Sequence, residues 1–271
     1  MPRNVTVTYQ VFPTSADMAL ASARLFASRV EQAVQSRGVA RIAISGGSTP
    51  QAAFKLLADP AGPFLNTVPW DKLQLFWVDE RCVAPTDPES NYGVCKELLL
   101  DKVPLPAENV FRMEGELDPQ EAASRYESQL RNALKLEGAQ SPHFDLVWLG
   151  MGPDGHTASL FPHTEGLNEM GRLVIANHVP QKNTWRITLT WPVINESAEV
   201  VFGLGGADKA EVLAAVLTGP RNIEEYPSQL IRPSNGKLLM LLDAAAAAKL
   251  PEATEVFTTP DGSAKVGTLQ I

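Results

Sequence analysis

The stretch "FDLVWLGMGPDGHTASLFP", residues 144 to 162, sets Gly150, Gly152 and Gly155 in the spacing G-x-G-x-x-G directly after an apolar run. An apolar strand feeding a glycine turn opens a β-α unit. The same spacing marks a dinucleotide-binding turn when a helix follows and an acid about 20 positions on holds a ribose hydroxyl. A strand at 144 to 149 and a short helix at 157 to 160 are expected here, but the acid is missing. The next expected strand, "RLVIANH" at 172 to 178, ends in Asn177 and His178. Asp154, moreover, stands where a pyrophosphate would have to approach a helix N-terminus. The stretch therefore reads as a strand of a parallel sheet whose glycine loop serves something other than a dinucleotide. An acid and an imidazole two residues apart, Asp154 and His156, at a strand's carboxyl end suit proton transfer.

Outward from this unit the chain alternates β-rich apolar runs with helical patterns, the signature of a mainly parallel sheet flanked by helices. Strands are expected near 5 to 11, 41 to 45, 73 to 79, 144 to 149, 172 to 178, 185 to 190, 199 to 204 and 237 to 242. Helices are expected at 15 to 36, 50 to 58, 91 to 101, 119 to 136, 157 to 160, 207 to 217 and 243 to 249. No repeat or low-complexity linker divides the chain, so residues 1 to 249 read as a single α/β domain and 250 to 271 as a C-terminal extension with no legible role.

With 271 residues, 44% of them hydrophobic and 20% charged, the chain can bury a large core. A net charge of -8 argues against a nucleic-acid or anionic-membrane partner, so a bound phosphate must be met by local cations and backbone amides. No run reaches signal-peptide or membrane-span length, since "KLLMLLDAAAAAKL" is broken by Asp243. Cys82 and Cys95 lie outside any C-x-x-C or Cys/His pattern and read as free thiols of a cytoplasmic protein.

Ligands of open α/β sheets bind beyond the carboxyl ends of the strands, which selects four segments. "RIAISGGSTPQAAFKLL" (41 to 57) has Gly46 and Gly47, then Ser48 or Thr49 as N-cap and Pro50 at the first helical position. Glycines, hydroxyls and free N–H groups at a helix start make a phosphate cradle, although a plain strand-to-helix turn would look the same. "LQLFWVDERCVAPTDPESNYGVCKELL" (73 to 99) ends a strand with Asp79, Glu80 and Arg81 and runs to Asn91 at a helix start. The three charges read either as a solvated rim or as ligand contacts, with Arg81 the natural phosphate partner because its fork pairs with two oxygens at once. In "GMGPDGHTASLFPHT" (150 to 164), His156 reads as a proton acceptor oriented by Asp154, against the alternative of an Asp154 helix cap beside a packed histidine. His143, His163 and His178 lack such company and read as surface or packing residues. Arg186 near a strand and Lys209 in the first turn of a helix, where the dipole disfavours a cation, complete the set.

These pieces resemble a known family. "ISGGSTPQ", "WVDERCVAPTDPESNYG", "DLVWLGMGPDGHTASLFP", "RITLTWPVIN" and "GADKAEVL", in this order across about residues 14 to 249, are similar to the 6-phosphogluconolactonases, within the group that includes the glucosamine-6-phosphate deaminases. The resemblance implies a Rossmann-like single domain and a hydrolase that opens 6-phosphogluconolactone in the pentose phosphate pathway with neither metal nor cofactor. It implies His156 and Asp154 as catalytic, and Gly46, Gly47, Ser48, Thr49, Asp79, Arg81, Asn91, Gly152, Arg186 and Lys209 as substrate-binding. It further implies a small sugar phosphate as partner; the protein itself is expected to be a monomer or weak homo-oligomer. Deaminases share "DGH" but carry Glu shortly before the Pro and Tyr after the Asp-Glu pair, where this chain has Phe161 and Arg81, and both differences favour a lactonase. A non-catalytic sugar-phosphate sensor is the remaining alternative, though it would usually carry a DNA-binding domain for which the N-terminus has no room. In "GKLLMLLDAAA" the family's usual aromatic is absent, which implies altered packing there without loss of activity.

Overall fold

In the computed structural model, which describes residues 5 to 252, 255 to 259 and 262 to 271, the apolar runs become strands and the amphipathic stretches helices. The first half of the chain forms β1 (Thr6–Phe12), α1 (Ser15–Arg37), β2 (Ala40–Ile44), α2 (Ser48–Leu57), β3 (Leu73–Trp77), β4 (Asp79–Arg81), α3 (Asn91–Cys95), β5 (Val110–Phe111) and α4 (Pro119–Leu134). The second half forms β6 (Leu146–Leu149), β7 (Val174–Val179), β8 (Thr184–Leu189), α5 (Trp191–Asn195), β9 (Glu199–Leu204), α6 (Ala210–Thr218), β10 (Lys237–Asp243), β11 (Glu255–Thr259) and β12 (Gly262–Gln270).

The main sheet runs β11-β12-β1-β10-β9-β6-β2-β3-β5. Every neighbouring pair from β1 to β5 is parallel. After β2 the chain winds outward through β3 to β5, then returns to β6 and winds the other way through β9 to β10. The carboxyl ends of β2 and β6 thus flank the topological switch point, where an open α/β sheet leaves its ligand crevice. The loops that follow these two strands are the two glycine loops singled out above.

Helix α1 shows why the layers form. Thr14 and Asp17 cap its start reciprocally, and Gly38 closes its end at φ 79°. Ala19, Ala23, Phe26, Val30 and Ala33, three and four residues apart, bury one face. Phe26 lies 6.3 Å from the Trp70 ring and 6.4 Å from that of Trp148. Its truncation to Ala would cost about 3 to 5 kcal/mol.

The expected strand 73 to 79 is two strands. β3 ends at Trp77, and Val78, fully buried, bonds both ways: its N–H donates to Ile44 O at 2.9 Å, and its carbonyl accepts from Leu189 N at 2.8 Å. Residues 79 to 81 then enter a second, antiparallel sheet, β4-β8-β7, so the strands expected at 172 to 178 and 185 to 190 lie outside the main sheet. The expected helix 243 to 249 is a set of turns. The Asp243 carboxylate takes Ala246 N at 2.8 Å and holds one turn, and Pro251 blocks continuation. The C-terminal extension supplies β12, antiparallel to β1, and β11 beyond it.

Candidate active site

β2 delivers the first loop. Ser48 or Thr49 was the expected cap of α2, with Pro50 first in the helix; instead Gly47 is the cap residue, at φ 112°, and Ser48 is the first helical residue. A positive φ is cheap only for glycine, and this turn needs it. No side chain caps α2, so the N–H groups of its first turn and the positive end of its dipole face outward, an arrangement suited to an anion. Gly46 has a different reason: a Cβ there would fall 1.9 Å from Asn91 Oδ1. Asn91 in turn donates from Nδ2 to Asp79 O at 2.9 Å, which binds the α3 loop to the end of the sheet.

β4 delivers the second segment. Asp79 and Glu80 are only 6% and 2% exposed, so for these two the solvated-rim reading is wrong. Glu80 accepts from the N–H groups of Arg81 (2.8 Å), Asn91 (2.7 Å) and Tyr92 (2.8 Å), and from Ser90 Oγ (3.1 Å). Burial raises its pKa, and the three backbone donors pull the other way. Its role is to fold the 81 to 92 loop, a role sequence reasoning missed because the neighbouring charges drew attention outward. Asp79 Oδ2 accepts from Ser159 Oγ at 2.7 Å. Arg81 donates to Glu89 O and stands in register with Arg186 of β8. Burial and the Arg81 charge hold the Arg186 guanidinium below its usual basicity. Cys82, beside this pair, is half-buried and pushed by burial up to about 11, while Cys95 is buried.

The loop after β6 carries the acid and the imidazole. No helix follows it: Thr157 and Leu160 form an isolated bridge, and Ala158 takes φ 49°. Thr157 Oγ1 donates to Gly150 O at 2.8 Å and Ser159 is held by Asp79, so the polar side chains of this segment bond elsewhere rather than starting a helix. Asp154 therefore caps no helix. Its Oδ1 lies 2.5 Å from His156 Nδ1 and 3.2 Å from the His156 N–H. Burial would raise the Asp154 pKa, but the hydrogen bond and charge of His156 outweigh it and hold the carboxyl below its ordinary range. The His156 ring stacks on Phe161 with centroids 4.0 Å apart and planes 20° apart. Gly152 leaves room for the ring, since a Cβ there would fall 2.1 Å from Cε1 and Nδ1. Nδ1 is thus committed to Asp154, which leaves Nε2 as the nitrogen available to a ligand.

β9 delivers the fourth segment. Asp243, at the end of β10, accepts Gly206 N on both carboxylate oxygens, at 3.1 and 3.0 Å, and Ser15 Oγ at 2.5 Å. This fixes the glycine turn from which Lys209 emerges, on a 3-10 turn just before α6 rather than inside the helix. The Lys209 ammonium lies 3.0 Å from the Asp208 carboxylate, with 19% of its side chain exposed.

One cavity joins all four segments. Of the residues expected from sequence, Gly46, Gly47, Ser48, Thr49, Asp79, Arg81, Asn91, Gly152, His156 and Lys209 line it. Asp154 and Arg186 do not; each stands behind a residue that does, Asp154 behind His156 and Arg186 beside Arg81. Ser45, which sequence reasoning passed over, also lines the cavity, 6% exposed and with its Oγ unpartnered. Its signal was available: it is the last residue before the glycine pair at a strand end. Among the described residues no group of three or more His, Cys, Asp or Glu forms a metal-binding cluster. The arrangement combines uncapped helix-start amides suited to an anion and two cations with an acid-supported imidazole.

A mainly parallel α/β sheet with such a cavity at its switch point is a frame found in a class of sugar-phosphate enzymes. The chain belongs to the family described as glucosamine-6-phosphate isomerases/6-phosphogluconolactonase, whose model matches residues 13–240. It is 38% identical to a 6-phosphogluconolactonase of Nostoc sp. over 90% of this chain and 98% of that protein. It is 40% identical to a 6-phosphogluconolactonase of Haemophilus influenzae, over 76% of this chain and 85% of that one. Among solved structures, a 6-phosphogluconolactonase from Trypanosoma cruzi superposes with a TM-score of 0.79 at 28% identity, covering 89% of this chain and 96% of that one.

Proposed function

We propose that the protein hydrolyses 6-phospho-D-glucono-1,5-lactone to 6-phospho-D-gluconate, the lactone-opening step of the oxidative pentose phosphate pathway. The observation that carries this reading is the His156 imidazole, held by Asp154 on one nitrogen and free on the other, facing a cavity lined by an uncapped helix start and by Arg81 and Lys209. The phosphate sits at the α2 N-terminus, gripped by backbone N–H groups and hydroxyls of residues 46 to 49 and by Arg81 and Lys209. Arg186 adds positive potential behind Arg81. Held at its far end, the substrate presents the carbonyl to His156.

Asp154 keeps the proton on Nδ1 and the lone pair on Nε2. Nε2 takes a proton from water as the water oxygen bonds to the lactone carbon. As the tetrahedral adduct collapses, the bond from that carbon to the ring oxygen breaks, and the imidazolium returns its proton to that oxygen. The products are a hydroxyl and a carboxylic acid that ionises in solution. Phe161 favours this chemistry over deamination, because an apolar ring stacks on His156 where the deaminases carry a carboxylate. Free thiols at Cys82 and Cys95 suit a cytoplasmic enzyme. The large apolar side chains exposed among the described residues are Met170 and Trp185, which suits a monomer or weak homo-oligomer.

Chelator-treated protein should accelerate hydrolysis of fresh 6-phosphogluconolactone and should not deaminate glucosamine 6-phosphate. His156→Asn should leave melting and 6-phosphogluconate affinity nearly intact while turnover falls about 10²- to 10⁴-fold. Deaminase turnover without lactonase turnover, or parental turnover in a stable His156→Asn variant, would overturn the proposal.

A further inference from the structure

The backbone between Asp154 and His156 is held by a distant segment. Gly155 O accepts two hydrogen bonds from one residue, Ser228: one from its N–H at 3.0 Å and one from its Oγ at 2.8 Å. Ser228 is 4% exposed and lies 73 residues away in sequence. The same segment closes on Gly155 from the side. A Cβ on Gly155, which takes φ 78°, would fall 2.9 Å from Tyr226 Cδ1. On its other flank the peptide is set by a tight turn, Gly155 N to Gly152 O at 3.1 Å.

The segment is itself anchored. Gln229 Oε1 accepts Asn222 N at 2.6 Å, and its Nε2 lies 3.3 Å from Val216 O and 3.2 Å from Pro220 O. Val216 belongs to the last turns of α6, the helix that Lys209 introduces. Asn195 Nδ2 holds Leu230 O at 2.8 Å, and Asn195 Oδ1 accepts Arg232 N at 2.7 Å. Residues 222 to 232 therefore form a braced strap, and Ser228 is where it grips the loop of the acid and the imidazole.

We propose that Ser228 is a positioning residue for the lactonase reaction: by fixing the Gly155 carbonyl it sets the peptide from which His156 projects, and so the place of Nε2 in the cavity. A carbonyl that accepts two bonds from one buried serine is held in direction as well as distance, and the next residue in the chain is His156. Ser228 is absent from the cavity lining, so its effect falls on turnover and not on substrate capture. The inference rests on the role proposed for His156.

The test is a double-mutant cycle of Ser228→Ala and His156→Asn, with kcat and KM for the lactone measured per folded molecule and 6-phosphogluconate affinity by calorimetry. Ser228→Ala keeps the backbone bond and loses the hydroxyl bond, so kcat should fall about tenfold, short of the 10²-fold that a full 1 Å misplacement costs. KM and product affinity should stay within about twofold, since the phosphate grip is untouched. In the His156→Asn background the same change should have no further effect. Ser228→Cys, which keeps the size and is a poor donor, serves the same comparison if the alanine variant does not fold. Parental kcat in Ser228→Ala, an equal loss in both backgrounds, or a loss confined to KM would each overturn the inference. Parental turnover in His156→Asn would instead overturn the reading beneath it.

Discussion

Gly152→Ala separates catalysis from folding more sharply than any change to His156 itself. The added Cβ would fall 2.1 Å from His156 Cε1 and Nδ1, and 2.6 Å from Asp154 Oδ1, where ordinary contact begins at 3.4 Å. The imidazole must therefore retreat by roughly 1.3 Å. It can do so cheaply, because the obstructing atoms are side-chain atoms and Gly152 is not among the residues at positive φ. The backbone accepts alanine; the ring cannot stay. Retreat breaks the 2.5 Å bond to Asp154 and withdraws Nε2 from the cavity. A misplacement of about 1 Å costs on the order of 10²-fold in rate, which corresponds to about 2.7 kcal/mol of barrier. The stability cost is limited to the partly exposed hydrogen bond to Asp154 and the stack on Phe161, and Tm should move by no more than a few degrees. Stopped-flow measurement of acid release from fresh lactone, melting, and calorimetry with 6-phosphogluconate on one preparation decide the matter. Parental kcat in a folded Gly152→Ala variant would refute the placement of the ring or its role, and a loss confined to KM would refute the separation of the phosphate grip from the imidazole.

Lys209→Ala or Arg81→Ala should weaken 6-phosphogluconate binding by about 1.5 to 3 kcal/mol, the value of a charge-assisted bond, with kcat changed only a few-fold; unchanged affinity in both would move the phosphate elsewhere. Ser45→Ala removes a buried hydroxyl that has no partner, so Tm should stay level or rise, and a drop of several degrees would mean that the hydroxyl is bonded after all. The Asp154 carboxyl, held below its ordinary range by His156 against the effect of burial, contributes stability that is present above the unfolded carboxyl pKa of about 3.9 and is lost as pH falls through the lower folded value. The Tm of the parent should thus fall more steeply than that of Asp154→Asn as pH drops below about 4, and parallel curves would contradict the pairing. Glu80, whose pKa is raised by burial, acts with the opposite sign in both proteins, so the difference between the two curves isolates Asp154.

Where local signals and tertiary contacts agree, the fold was legible. The apolar run into Gly46 and Gly47, followed by a helical pattern, gives β2, its turn and α2. Only the cap was misassigned, because a serine beside a glycine reads as the cap until the glycine's φ is known. The break after Trp77 was hidden, since Leu75 to Val78 is one apolar run and nothing in it says that Val78 bonds to two sheets. Alanines 244 to 248 favour a helix by propensity, yet Asp243 spends its carboxylate on Gly206 and Ser15 as well as on Ala246, and the helix does not grow. Most of the candidate site was legible from residues at or just after a strand's carboxyl end, because topology brings those ends together whatever the loops do, although Ser45, just after β2, was passed over. Ser228 and Glu80 were not: Ser228 holds a carbonyl 73 residues away, Glu80 holds backbone N–H groups up to 12 residues on, and no spacing marks such a partner.

The three glycines of the opening stretch show how one spacing serves another chemistry. In a dinucleotide turn they allow the tight turn, the close approach of pyrophosphate and the packing of helix on strand. Here no helix follows, and the reasons differ one by one. A Cβ on Gly150 would meet nothing within 4 Å, so that position opens onto the cavity. Gly152 yields space to an imidazole, and Gly155 supplies a positive φ beneath Tyr226 so that its carbonyl can reach Ser228. What the spacing keeps in common is a strand that ends in a glycine-rich bend at the switch point of the sheet, where backbone is open to whatever enters. The residues that fill that space decide the chemistry. Here the group that faces the cavity is the His156 imidazole, with the Asp154 carboxylate behind it and the uncapped start of α2 on the same cavity, an arrangement that suits a proton acceptor and an anion rather than a dinucleotide.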